Sequence, residues 1–313
     1  MSLDPQVSDF YKEKIAQKAF AQTNYDVLTM RQNADAVFND KELIFPIYHW
    51  EDRQIPGPDG FVPIRIYQPG GMTAYPVMVY FHGGGFIMHN IASHDALCRK
   101  LAVCFDCIVV SVGYRLAPEH PYPACIEDGE AALLWVYNNA RSFQGDPTQL
   151  MVAGDSSGAT ISAALSLLSR DKRGPKISLQ LLFYGMFGAV SYDTSPSMAA
   201  FGTGEYVLPR TMIEFCSRQF VPKDTDLNDP YLYPGKSPDL TGLPKTIAVT
   251  AQYDPLKDDG DAFATKLSLA GNSVTLITAD GMMHGFLLYW YRFQRAQILL
   301  ETIGTQVRTF FNR

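Results

Sequence analysis

The residues best suited to chemistry lie in Gly154-Asp155-Ser156-Ser157-Gly158, a G-x-S-x-G pattern. An apolar run ending at Ala153 precedes the pattern and small and apolar residues follow it, which predicts a strand, a sharp turn and a helix. Such a turn presents the Ser156 hydroxyl at a helix N-terminus, where free N–H groups stabilise developing negative charge. The pattern therefore predicts a nucleophile at Ser156. Ser157 is not the centre of any such pentapeptide, so its backbone N–H is expected to matter more than its side chain.

A serine hydroxyl needs a base, and the base needs a carboxylate that orients it. After a turn of this kind the order along the chain is serine, acid, histidine, and His284 is the only one of six histidines downstream of Ser156. The acid is expected at the end of a strand between them. Asp254 directly follows an apolar run and is favoured, with Asp258 as the alternative. Asp258 lies at the start of a predicted helix, where capping is a simpler explanation for an acidic residue.

Three consecutive glycines follow another apolar run, in His82-Gly83-Gly84-Gly85-Phe86. The backbone N–H groups of such a loop can hold a phosphate or the oxyanion of a tetrahedral intermediate. No Gly-Lys-Ser/Thr follows, as it would in a P-loop, so the oxyanion hole is favoured, with the Ser157 N–H as a further donor. His82 is expected to hold the loop by a side-chain hydrogen bond.

Apolar runs that favour strands alternate with helical patterns along most of the chain. The predicted strands are Val62–Tyr67, Val77–Phe81, Cys107–Tyr114, Leu150–Ala153, Leu179–Tyr184, Ile247–Ala251 and Val274–Thr278. The predicted helices are His94–Ala102, Ile126–Asn139, Ser157–Arg170, Gly260–Ala270 and Tyr289–Phe310. This alternation predicts an α/β fold, a mostly parallel sheet flanked by helices. The first two strands lie close together in sequence and are expected to be antiparallel edge strands.

Two segments interrupt the alternation: residues 1–45, which look helical, and residues 186–225, which begin loosely and then turn helical. An excursion between strands commonly forms a lid over an α/β active site. The predicted organisation is a catalytic domain of residues 46–185 and 226–313 beneath a cap made of the other two segments. Large apolar side chains of the cap are expected to face a closed pocket. They are Phe10, Phe20, Met186, Phe187, Met198, Phe201, Tyr206, Met212, Phe215 and Phe220.

The composition, 47% hydrophobic with a net charge of −6, is typical of a soluble globular protein and gives no basic face for nucleic acid or anionic membranes. No run of about 18 apolar residues predicts a membrane span, and the first residues do not resemble a signal peptide. Five cysteines, an odd number, indicate reduced thiols in a cytoplasmic protein. Cys104 and Cys107 form a C-x-x-C without a second pair at zinc-ligand spacing, and are interpreted as small buried hydrophobes.

The sequence resembles the bacterial hormone-sensitive-lipase family (family IV) of α/β-hydrolase esterases, in motifs that fall in family order from about residue 45 onward. The matching motifs are His82–Phe86, Tyr114–Pro121, Gly154–Gly158, Asp254–Gly260 and His284–Phe286. The resemblance implies an α/β-hydrolase fold with a helical cap, and carboxylesterase activity on short-chain esters without a cofactor or a metal. It assigns Ser156, Asp254 and His284 as the catalytic triad and the N–H groups of Gly84, Gly85 and Ser157 as the oxyanion hole.

The sequence departs from the family at two small residues, Ser157 in place of alanine and Ala159 in place of glycine. Neither is expected to disturb the turn. A small ester is the expected partner, and a homodimer is a further expectation. Two alternatives stay open, hydrolysis of amides by the same triad and a ligand-binding receptor without catalysis. Receptors that resemble this family have lost the catalytic histidine, so His284 counts against the second alternative.

Overall fold

The structure, a computed structural model, describes residues 2–16, 25–38, 45–71 and 74–313. In these residues eight strands form one sheet in the order β1-β2-β4-β3-β5-β6-β7-β8. The bounds are His49–Gly57 (β1), Gly60–Gln68 (β2), Tyr75–Phe81 (β3), Ile108–Val112 (β4), Gly145–Asp155 (β5), Ile177–Phe183 (β6), Lys245–Tyr253 (β7) and Val274–Met283 (β8). β2 pairs antiparallel with β1 and β4, and all other pairs are parallel.

Nine α-helices are described within the same residues. They are Pro5–Ala16 (α1), Val27–Phe38 (α2), Asp95–Phe105 (α3), Ala124–Asn139 (α4), Ser157–Asp171 (α5), Pro196–Phe201 (α6), Arg210–Phe220 (α7), Lys257–Leu269 (α8) and Gln294–Phe310 (α9). α4 and α5 pack in one apolar cluster against the sheet, and α3 and α9 pack in another. Every residue of β3 and β4 is buried, as expected for strands covered on both faces. This architecture confirms the predicted α/β-hydrolase fold.

The pairing predicted for the first two strands is wrong. β2 does pair antiparallel, but with β1 and β4, whereas β3 lies inside the sheet between β4 and β5. Closeness in sequence suggested a hairpin, but the fully apolar β3 is stable only where both its faces are covered. β1 was not predicted at all, because Ile55 is its single buried residue and no apolar run marks it.

The last predicted helix, Tyr289–Phe310, is interrupted. A 3-10 helix covers Phe286–Arg292, and α9 begins at Gln294 after Phe293 takes an extended conformation with φ −114° and ψ 109°. Phe293 is fully buried, so the break turns its ring into the core.

Cys104 and Cys107 lie at the end of α3 and just before β4, and all five cysteines are free and buried. Burial raises the pKa of the Cys104 thiol to about 11 and raises the pKa of the Cys107 thiol well above its ordinary value. Neither thiol is therefore poised for redox chemistry or metal binding. Within the described residues no group of three or more His, Cys, Asp or Glu could hold a metal. No helix in the described part of the chain is long and apolar enough to cross a membrane.

Candidate active site

Ser156 lies between β5 and α5 in a strained backbone conformation, with φ 52° and ψ −122°. Such conformations persist where the surroundings hold them. Here the Ser156 N–H donates to the carbonyl of Phe183 at 2.8 Å. The flanking residues must be glycine, because a Cβ at Gly158 would overlap the Phe81 carbonyl and one at Gly154 would overlap the backbone of Gly158. The strand, turn and helix predicted from the pentapeptide are therefore confirmed.

His284 follows β8 and Asp254 follows β7, so both side chains leave the same edge of the sheet as Ser156. The His284 Nδ1 lies 2.7 Å from a carboxylate oxygen of Asp254, and its Nε2 lies 2.9 Å from the Ser156 Oγ. The second Asp254 oxygen accepts the Leu256 N–H at 2.8 Å, and Asp254 is fully buried. The Tyr184 ring packs against the imidazole edge with centroids 5.0 Å apart. This geometry holds Nδ1 as a donor, which leaves Nε2 free to accept the serine proton.

Asp258, the alternative acid, lies elsewhere. Its carboxylate accepts the Ser197 N–H at 2.7 Å and the Ser195 hydroxyl at 3.2 Å, so it caps the start of α6. The next residue, Asp259, is buried and accepts the backbone N–H groups of all four residues 187–190. Burial raises the pKa of Asp259, although those four bonds oppose the shift. The structure thus brings Asp254 to His284 and uses the next acids to hold the segment that leaves β6.

The glycine loop after β3 lies on the other side of Ser156. Gly84 and Gly85 have φ values of 124° and 60°, and a Cβ at Gly84 would overlap the Met88 carbonyl. In the described part of the chain, neither glycine donates its N–H to another protein group, and the Ser157 N–H begins α5 without an intrahelical acceptor. These three residues line the same cavity as Ser156. Their N–H groups are therefore available to a bound oxyanion.

Asp155, one residue before the serine, ties this loop to the turn. Its buried carboxylate accepts the Tyr80 hydroxyl at 2.7 Å and the Gly83 N–H at 2.9 Å, and lies 3.2 Å from the His94 Nε2. Burial alone would raise its pKa, but His94, Tyr80 and the Gly83 N–H outweigh burial and lower the pKa of Asp155 to about 2. Sequence reasoning missed this network, although a carboxylate at the end of a buried strand always requires partners.

His82 holds the loop as predicted. Its Nδ1 lies 2.8 Å from the Gly83 carbonyl, and its ring stacks on Tyr114 with centroids 4.3 Å apart. The Tyr114 hydroxyl in turn donates to the His82 carbonyl at 2.7 Å. Burial lowers the pKa of His82 to about 3, which keeps the ring neutral.

A cavity of about 240 Å³ lies above Ser156, and its wall is mostly apolar. α2 contributes Met30, Asn33 and Ala34, α7 contributes Met212, Ile213, Cys216 and Ser217, and other segments contribute Met186, Val207, Leu256, Leu288 and Tyr289. A helix from each predicted cap segment therefore lines the cavity. Of the ten cap side chains predicted to face the pocket, Met186 and Met212 do so.

The remaining predicted side chains pack elsewhere or lie outside the described residues, as Phe20 does. Phe10 packs against Tyr289 with centroids 4.4 Å apart, and Phe220 stacks on Phe86 at 3.8 Å. α1 therefore lies against the body that carries His284 and not over the cavity. Five of the nine described side chains of this set are buried, and residue type did not indicate which of them face the cavity.

α2 is fastened directly to the catalytic loops. The Arg31 guanidinium donates to the carbonyls of Ile87 and Ala117 at 2.7 and 2.9 Å and forms two hydrogen bonds with Glu119. The Tyr25 hydroxyl, just before α2, lies 3.1 Å from the Thr211 Oγ1 on α7. Sequence reasoning did not identify these contacts, because the partners are far apart in the chain.

Comparison with known proteins agrees with this geometry. The family described as alpha/beta hydrolase fold (Abhydrolase_3) matches residues 78–288. The carboxylesterase NlhH of Mycobacterium tuberculosis is 42% identical over 250 residues, 78% of this chain and 77% of that protein. An arylesterase of Saccharolobus solfataricus is 32% identical over 92% of this chain and 93% of its own. The solved structure of a hyperthermophilic esterase from Pyrobaculum calidifontis has a TM-score of 0.92 at 32% identity and covers 99% of both chains. The chain belongs to this α/β-hydrolase family, within which its resemblance to the hormone-sensitive-lipase esterases is confirmed.

Proposed function

We propose that the protein is a serine carboxylesterase in which Ser156, Asp254 and His284 form the catalytic triad. The observation that carries this proposal is the unbroken hydrogen-bond chain from Asp254 through His284 to the Ser156 hydroxyl, on the floor of an apolar cavity. Relatives named carboxylesterase, arylesterase and esterase support an ester as the substrate.

The geometry accounts for each step of ester cleavage. The His284 Nε2 takes the proton of Ser156 as Oγ attacks the ester carbonyl, and Asp254 stabilises the imidazolium that forms. The N–H groups of Gly84, Gly85 and Ser157 hold the oxyanion. The imidazolium then protonates the leaving alkoxide and an acyl-enzyme remains. Water, activated by the same imidazole, attacks the acyl-enzyme and releases the acid and the free serine.

The substrate class follows from the cavity. Its volume of about 240 Å³ is small, since binding sites for small molecules typically measure about 300–1,000 Å³. The wall is mostly apolar, so each methylene that fits gains roughly 0.8 kcal/mol of transition-state binding until the space is full. Short-chain carboxylic esters fit this combination of size and polarity.

Residues 1–45 and 186–225 form the cap, and residues 46–185 and 226–313 form the catalytic domain. α2 and α7 support this division because they line the cavity from the two cap segments. The Tyr25 ring also lies 5.5 Å from the Phe215 ring, which joins the segments to each other. Arg31 then connects the cap to the loop after the glycines.

A cytoplasmic location is part of the proposal, and the five free, buried thiols support it. Cell fractionation tests this location. Assembly as a homodimer is a further expectation, and light scattering of the purified chain will test it.

Labelling with a fluorophosphonate probe tests the nucleophile. The probe should add once, at Ser156, and Ser156→Ala should abolish labelling and the hydrolysis of aryl esters while the fold persists. Ser157→Ala is the matched control, because it keeps the backbone N–H and should retain both labelling and hydrolysis. Hydrolysis that survives Ser156→Ala would refute the proposal.

A further inference from the structure

His89 separates the cavity above Ser156 from two grooves on the outside of the protein. One outer groove is lined by Arg31, His89, Asn90, Leu116, Glu119 and His120. The other runs along the ends of β2 and β4 and also includes His89. Among the described residues, His89 is the only one that lines the cavity and either groove. A side chain in this position is the wall between the cavity and the grooves.

The His89 side chain is held in place. Its backbone is left-handed, with φ 69°, a conformation that is uncommon for residues other than glycine. Its ring lies directly over Gly84, since a Cβ there would come within 2.9 Å of the His89 Cδ2. On its other side the ring meets His94 edge to face, with centroids 5.5 Å apart. An uncommon backbone conformation retained beside a binding cavity points to a role in that cavity.

The triad geometry indicates which part of the ester reaches His89. The leaving oxygen must lie near the His284 Nε2 to be protonated, and the carbonyl oxygen must lie at the N–H groups of the glycine loop. The acyl chain therefore extends away from His284, between the glycine loop, α2 and α7. His89 closes this side of the cavity.

We propose that His89 is the end wall of the acyl site and sets the longest acyl chain that the enzyme accepts. The inference rests on the proposed esterase activity. Replacing the imidazole with a smaller group joins the cavity to the outer grooves, so that a longer chain can pass between them. Each further methylene that is buried then raises kcat/KM about fourfold.

The test measures kcat/KM for p-nitrophenyl esters from acetyl to dodecanoyl, each normalised to the butyryl ester. A His89 variant loses the contact with Gly84 and so can lower kcat/KM for every ester by the same factor. Normalisation removes that common factor. His89→Gly, which suits the left-handed backbone, should move the optimum to longer acyl chains. For an ester two methylenes longer than the wild-type optimum, the normalised kcat/KM should rise about 15-fold over that of the wild type. His89→Asn tolerates the same backbone and should give a smaller shift in the same direction, which keeps the test available if the glycine variant does not fold.

His120→Ala is the matched control, because His120 lines an outer groove but not the cavity. Its normalised profile should equal that of the wild type. An unchanged profile in folded His89→Gly or His89→Asn that still labels at Ser156 would overturn the inference, as would an equal shift in His120→Ala. A shift confined to a series of alkyl alcohols, with the acyl series unchanged, would also overturn it. Failure of the wild type to hydrolyse any ester would instead refute the proposed function.

Discussion

Asp254→Asn tests the triad at the contact between the Asp254 carboxylate and His284, on which the base depends. Asp258→Asn is the matched control. Asp254 lies 2.7 Å from the His284 Nδ1, and its other oxygen accepts the Leu256 N–H. Asparagine has the same shape and keeps an oxygen for Leu256, so the fold should persist. Its amide then points an NH₂ group at Nδ1, which forces the proton of the neutral imidazole onto Nε2. An Nε2 that carries a proton cannot accept one from Ser156.

The size of the effect follows from this change of tautomer. The equivalent exchange in a serine-histidine-aspartate triad lowers kcat about 10⁴-fold, or about 5.5 kcal/mol in the barrier. Asp258→Asn weakens a helix cap on α6, for which about 1 kcal/mol of stability is the expected cost. It should leave turnover within a few fold of the wild type.

The assay combines kcat and kcat/KM on p-nitrophenyl butyrate with thermal unfolding of each variant. The unfolding temperature shows whether a fall in kcat comes from altered chemistry in a folded protein or from loss of the fold. A larger fall in kcat for Asp258→Asn than for Asp254→Asn, with both proteins folded, would refute the assignment of the acid.

Three further predictions follow from the contacts around the turn and the cap. Asp155→Asn should lower the free energy of unfolding by about 2 kcal/mol in urea titrations, because a neutral amide oxygen accepts weaker hydrogen bonds from Tyr80 and Gly83 than the buried carboxylate does. The pKa of Asp155 is lowered, so its carboxylate stabilises the fold above about pH 4, and this contribution, about 2 kcal/mol, is lost as the pH falls through about 2. Melting temperatures should fall over this range in both proteins, because other carboxylates such as Glu119 also have a lowered pKa, but the fall should be smaller in Asp155→Asn than in the wild type. Gly158→Ala should abolish fluorophosphonate labelling, since its Cβ overlaps the Phe81 carbonyl, and full labelling would contradict the account of the turn. Removal of residues 1–45 should uncover apolar surface at Tyr289, lower solubility and flatten the preference for acyl length, and an unchanged preference would exclude this segment from the cap.

The triad could be predicted because each member is marked locally. Ser156 is at the centre of the pentapeptide, and Asp254 directly follows an apolar run, as a residue at the carboxyl end of a buried strand does. His284 is the only downstream histidine, so elimination was sufficient. Asp258 was the competing acid, and its position at the start of a helical pattern suggested that it caps that helix, whereas in the structure its carboxylate accepts the Ser197 N–H at the start of α6.

Strand order and pocket lining could not be predicted, because they depend on contacts between distant parts of the chain. β2 and β3 are neighbours in sequence, yet β4 lies between them in the sheet. Ten large apolar side chains of the cap were predicted to face the pocket, and of the nine that the structure describes only Met186 and Met212 do so. Residue type alone did not distinguish Met212, which lines the cavity, from Phe220, which packs on Phe86 outside it.

Asp155 shows how far a motif can be interpreted without the fold. Its place at the end of the buried run Leu150–Gly154 implies a buried charge, and a buried charge without partners would cost too much to retain. That argument establishes that partners exist but does not identify them, since Tyr80 and Gly83 precede Asp155 by 75 and 72 residues. Only the parallel pairing of β3 with β5 brings them together. The same pairing sets the glycine loop beside Ser156, so one sheet contact positions both the nucleophile and the N–H groups that face it.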